Sequence, residues 1–162
     1  MMKPTRLLLL CALAAGTLLP AAEAPKYKLA ADNRIYAQQL VREMMAAHPE
    51  LLTAGMHCVP PGGGVQTIIA STLNVIGKPS DPPDIGVGAL GETIISPNLK
   101  VPKLGVMLPL HDRTGREIGA LALAFKYRAG EDQVKYLALA SAIREEVAAR
   151  IPGLADLFAP LP

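Results

Sequence analysis

Apolar residues recur at helical spacing in two stretches of the chain and at strand spacing between them. Tyr36, Leu40 and Met44 form one stripe with Val41 and Met45 beside it, while Gln38, Gln39, Arg42 and Glu43 take the opposite side. That pattern predicts an amphipathic helix over 32–47, capped by Asp32. It ends at His48-Pro49, because the residue before a proline is driven out of the α region. Near the other end Leu139, Ile143, Val147 and Ile151 recur every four residues. They predict a closing helix over 131–150, with Glu131 and Asp132 at the positive end of its dipole and Glu146 and Arg150 as an i,i+4 ion pair. Ala138, Ala140 and Ala142 make this helix slim enough to lie against a sheet.

Between the helices the pattern turns to strands. Pro60-Pro61-Gly62-Gly63-Gly64 is a breaker and leads into a strand over 65–71. Residues 101–111 read as extended and meet the turn Asp112-Arg113-Thr114-Gly115, after which a strand runs over 117–127. Aspartate at the first and glycine at the last turn position fit a type I turn, so this unit reads as a β-hairpin. On its second strand Leu121, Leu123, Phe125 and Tyr127 share one face, and Ala120, Ala122 and Ala124 share the other. The large residues can fill a core; the small ones admit a helix at close range. Residues 85–95 follow neither period cleanly and are ambiguous between strand and short helix. The fold class is therefore α+β, a central antiparallel β-sheet with long N-terminal and C-terminal helices.

Composition adds an address. Lys3 and Arg6, an apolar run over 7–19 and the small residues after it make 1–24 a secretory signal peptide. Ala22 and Ala24 satisfy the small-x-small cleavage rule, although Pro25 would then lead the mature chain. The alternative is a retained anchor helix, for which the apolar run is short. The expectation is one domain over 25–162, periplasmic or secreted. Without residues 1–24 the net charge is +1 and Cys58 is the single cysteine. A near-neutral chain with few aromatic residues carries no footprint for nucleic acid, and one cysteine makes no internal disulfide. A domain of this length can still bury roughly two thirds of its unfolded surface.

The most suggestive chemical pair is His57-Cys58, since imidazole and thiolate bind zinc, copper or haem iron, and His48 and His111 could join in space. The spacing matches no metal motif, and a buried cysteine acting as a small hydrophobe is the other reading. A triad of His111 and Asp112 with Ser71 or Ser96 competes with the turn role of Asp112. There is no nucleophile elbow, phosphate loop or helix-borne zinc motif, and the glycines at 62–64 precede a strand rather than a helix. An enzyme is not expected.

The segments Gln66 to Ser71 (QTIIAS), Ile76 to Asp81 (IGKPSD), Asp84 and 108–121 (LPLHDRTGREIGAL) resemble the extracytoplasmic Cache, or PAS-like, sensor domains. The resemblance covers residues 32–128. It implies a sheet with a long helix on one face and a small-molecule pocket on the other, in a freestanding exported module without catalytic output. Carried over, the pocket residues would be Ser71, Lys78, Asp84, Lys103 and His111, with Lys78 and Lys103 facing a ligand carboxylate and Asp84 an amine. The plainer alternatives are a solvated Lys78 and an Asp84 that caps a turn. The implied partner is a small-molecule ligand, with a membrane receptor or a second copy as protein partner. No cofactor is specified; a metal or haem at His57 and Cys58 is the alternative function.

Overall fold

The structure is a computed structural model that describes residues 33–162. The signal-peptide segment and the expected cap Asp32 lie outside the described residues. In chain order the elements are α1 (Tyr36–Ala47), β1 (Leu51–Cys58), β2 (Thr67–Ser71), α2 (Pro82–Leu90), β3 (Ile94–Asn98), β4 (Lys103–His111), β5 (Glu117–Lys126), α3 (Gln133–Ala148) and a 3-10 turn (Leu154–Phe158). The five strands form one sheet in the order β2-β1-β5-β4-β3, antiparallel throughout. Among the described residues no helix is long and apolar enough to cross a membrane.

The hairpin forms as its residue types require. Gly115 N–H donates to the Asp112 carbonyl at 2.9 Å, with Gly115 at a φ of 85° that suits glycine. The Asp112 carboxylate accepts from the Thr114 hydroxyl, from the N–H groups of Thr114 and Arg116 and from the Arg116 side chain. These bonds hold its pKa down to about 2.

Strand register separates two unlike faces. Met56, Leu121 and Leu108 stand side by side, as do Ala54, Leu123 and Val106, then Phe125 and Leu104. This face meets Leu40, Val41 and Met44 of α1 and Ala140, Ile143 and Val147 of α3 in the main core. Tyr136 of α3 packs 5.6 Å from the Phe125 ring and edge-on to Tyr127 at 5.8 Å. Such aromatic pairs add about 1 kcal/mol each beyond the area they bury. The opposite face carries Gly55, Ala122 and Met107, then His57, Ala120 and Pro109, then Ala124 and Gly105. α2 lies on this small-residue face with Val87 fully buried under it. Both hairpin faces thus do what their side-chain sizes predict, although the helix over the alanines is α2 and the closing helix covers the large residues.

Several expectations need correction. α1 is 12 residues long and starts at Tyr36 behind Ile35, which makes no side-chain cap. Its Tyr36 N–H is satisfied instead by the Ala159 carbonyl, and Leu161 N–H donates to Arg34 O beside the Ile35–Pro160 bridge. Gln38 is not on the wet side. Its buried amide donates to the Ser71 carbonyl at 3.0 Å and accepts from the Ser71 N–H at 2.9 Å, tying α1 to β2. Glu146 and Arg150 do not pair: Glu146 meets His48 at 2.9 Å, and Arg150 bonds Glu43 across the α1–α3 seam. Asp132 caps α3 through the Val134 N–H.

Residues 85–95 resolve into the end of α2 and the start of β3. α2 opens with prolines at its first positions, where no N–H is missed, and closes on Gly91 in the left-handed region. β3 is an edge strand that accommodates Pro97. β1, which the hydrophobic pattern does not signal, lies second in the sheet and is buried over most of its length.

Candidate functional site

The small-residue face holds the site. Gly105, Ala122 and Ala124 give a low floor between α2 and β3. β3 stands alongside through the register Ile94↔Met107, Ser96↔Gly105 and Asn98↔Lys103. Beside Asp84 a hollow of about 150 Å³ is lined by Ile94, Ser96, Gly105, Met107 and Ala122. It adjoins a groove of about 590 Å³ that runs past Ser96, Gly105 and Ala124 to Lys103. The two share Ser96 and Gly105, so one trough leads from a half-buried carboxylate to an exposed ammonium.

A buried polar cluster sets the carboxylate end. His57 on β1 directs Nδ1 to Ser80 Oγ at 2.9 Å and lies 3.7 Å from Asp84 Oδ2. Gln66 donates its side-chain N–H groups to Ser80 Oγ at 3.4 Å and to the Asp84 backbone carbonyl at 2.9 Å, while Ser80 N–H donates to the Gln66 carbonyl. His57, Gln66 and Ser80 are each under a tenth exposed. Burial pushes the His57 pKa below its ordinary value, and the charges of Asp84 and Asp81 push back against it. Because Ser80 and His57 are both covered, this pair acts as a brace that holds the start of α2, and Asp84 with it, against the sheet.

Of the five ligand residues expected from sequence, the structure brings Asp84 and Lys103 to one trough. Ser71 ends β2 opposite Gly55 and away from the trough, its backbone held by Gln38 and its Oγ accepting from Leu73 N–H. Lys78 is exposed and its backbone carbonyl accepts from Ile68. His111 ends β4, with Nε2 3.8 Å from Glu117. The triad does not assemble, since Asp112 is spent on its turn and Ser71 on its contacts to Gln38 and Leu73.

The structure sets His57 and Cys58 on opposite faces of β1. Register puts His57 opposite Ala120 on the α2 side, whereas Cys58 belongs to the main core, fully buried beside Gly119. Burial raises the Cys58 thiol to about 12. His48 is held by Glu50 and Glu146 in a separate region. Among the described residues no three His, Cys, Asp or Glu side chains group as metal ligands.

Sequence reasoning gave no role to the Gln66 side chain or to the Ala122–Ala124 part of the floor, and it named Ser96 only as a triad candidate. The alternation of alanines on the second hairpin strand was the one signal for that floor, and it pointed to helix packing as readily as to a pocket.

No family model and no curated protein matches the sequence. Solved structures do match the fold. The GAF domain region of a putative membrane protein from Geobacter sulfurreducens PCA superimposes with a TM-score of 0.50 at 13% identity, covering 68% of this chain and 87% of that one. The second GAF domain of DevS from Mycobacterium smegmatis gives 0.49 at 13%, covering 70% and 88%. A free methionine-R-sulfoxide reductase from Neisseria meningitidis, in complex with its substrate, gives 0.48 at 16%, covering 74% and 83%. The expected PAS-like class is therefore realised as a GAF-type fold, mixed α and β around a five-stranded antiparallel sheet.

Proposed function

We propose that the chain is a small-molecule-binding, sensor-like module whose ligand lies in the trough between Asp84 and Lys103. The observation that carries this reading is the trough itself: a floor of glycine and alanine with a carboxylate at one end and an ammonium at the other. A cleft of a few hundred Å³ with a small number of converging polar groups suits a compact ligand. Lys103 would receive a ligand carboxylate, Asp84 an amine or guanidine, and Ser96 a polar group between them. Residues 1–24 support export, and an exported module of this kind would report its ligand to a membrane receptor or a second copy.

Among the described residues no thiol is placed for redox chemistry. Such chemistry needs a reachable thiolate, and Cys58 is buried with its pKa raised to about 12.

Thermal-shift and calorimetric titration with amino acids, polyamines and dicarboxylates tests the reading. Zwitterionic compounds should stabilise the protein, Lys103→Met and Asp84→Asn should each weaken them, and Ala122→Leu should block the floor. Failure of the whole panel, or binding indifferent to all three substitutions, would overturn it.

A further inference from the structure

Beyond the ammonium end of the trough, the β3–β4 turn forms a tip that continues past the groove wall. Residues 98–103 turn tightly between β3 and β4, and the Asn98 side-chain oxygen pins the turn by accepting from the N–H groups of Lys100 and Val101, both at 3.1 Å. Leu99 and Val101 therefore project from a fixed tip, 67% and 56% exposed. Cations ring them. Lys103 faces Lys126 directly across the β4–β5 ladder, Lys100 is on the tip, and Arg128 follows where Tyr127 N–H bonds the Pro102 carbonyl.

None of these four cations forms an ion pair among the described residues. Like charges placed opposite each other in a ladder cost stability unless something outside compensates them. The nearby carboxylate, Glu131, is already occupied by the Tyr136 hydroxyl and the Arg128 N–H.

We propose that this tip docks on an anionic lipid surface, with Leu99 and Val101 entering the acyl boundary and Lys100, Lys103, Lys126 and Arg128 meeting the headgroups. The combination selects a membrane over a soluble polyanion. A polyanion would use the cations and gain nothing from two protruding aliphatic side chains, and Tyr127 and Tyr136 are buried and offer no stacking platform.

Cosedimentation of the full chain with vesicles tests this, using equimolar phosphatidylglycerol and phosphatidylcholine against phosphatidylcholine alone. Binding should require the anionic lipid and weaken with salt. Each cation near such a surface is worth about a fivefold change in partitioning, so Lys126→Glu with Arg128→Glu should weaken binding by at least about twentyfold. Val101→Asp should weaken it as well; all these sites are on the surface, and circular dichroism checks that the variants fold. Equal binding to neutral vesicles, or no loss in the charge-reversed variant, would overturn the proposal. So would full retention by Val101→Asp, which would leave an electrostatic anion site without lipid insertion. Lys126 faces Lys103 across the ladder, whereas Val101 neither lines the trough nor pairs with a residue that does, so Val101→Asp is the variant whose failure leaves the ligand reading standing.

Discussion

Gly88 of α2 and Gly119 of β5 meet back to back: a Cβ on Gly88 would stand 3.2 Å from the Gly119 carbonyl carbon and collide with the Gln66 side chain. On its far side a Cβ on Gly119 would fall onto the His57 carbonyl and 2.7 Å from the Cys58 sulfur. The His57 carbonyl is backbone and cannot swing away. Gly119→Ala should therefore cost at least about 3 kcal/mol in urea unfolding. Gly88→Ala should cost less, since the Gln66 amide can move, but it should dislodge Asp84 and reduce ligand binding.

His57 makes the fold sensitive to mild acid. Its pKa is lowered in the folded state from an ordinary value of 6.5, so its contribution is complete above that pH and is lost as the pH falls from there through the folded value. The groups facing it are Ser80, Gln66, Asp84 and Asp81, and the two aspartates limit the loss. The slope should approach about 1.4 kcal/mol per pH unit at most. Urea unfolding across this range should show a decline in the wild type that His57→Gln flattens.

Asp112 behaves in the opposite pH range. Its carboxylate is stabilised in the folded state, so its contribution is present above an ordinary value of 3.8 and is lost as the pH falls through about 2. Asp112→Ala removes acceptors for two backbone N–H groups and the Arg116 side chain at once. The variant should melt several degrees lower at neutral pH. Its acid unfolding should lack the component that titrates between those two values.

Gln38 and Glu43 lie on the same helix and should differ sharply. Gln38→Ala leaves both the N–H and the carbonyl of buried Ser71 without a partner, for a cost of about 2 kcal/mol. Glu43→Ala removes an ion pair whose two side chains are each more than two fifths exposed, and should change stability by under about 0.5 kcal/mol. Chemical denaturation of the two variants side by side checks the contrast.

These cases show where sequence is informative. The 112–115 turn and the stripe through Ile143, Val147 and Ile151 were legible because a local rule and the tertiary structure agree. Gln38 was misplaced because a glutamine on a helix reads as solvent-facing until a strand edge supplies a backbone to bond. α2 was hidden by composition: Pro82, Pro83, Gly86 and Gly88 are poor helix formers, tolerated here by the N-terminal position of the prolines and by the close approach to Gly119 that Gly88 permits. Asp84 and Lys103 were named as ligand residues from a resemblance, but their convergence depends on β3 and α2, neither of which the hydrophobic pattern defined. His57 and Cys58, adjacent in sequence, point to opposite faces of their strand, and the contacts of His57 to Ser80 and Asp84 come from parts of the chain that no local pattern links to it.

The strap joining Arg34 and Tyr36 to Leu161 and Ala159 has a mechanical meaning. These pairs run antiparallel, so a pull applied at residue 33 and at Pro162 loads their hydrogen bonds one after another, as in opening a zip, and not together in shear. Tension passing through both ends would peel this strap from α1 first, exposing its unsatisfied first turn while the five-stranded sheet and the trough stay intact.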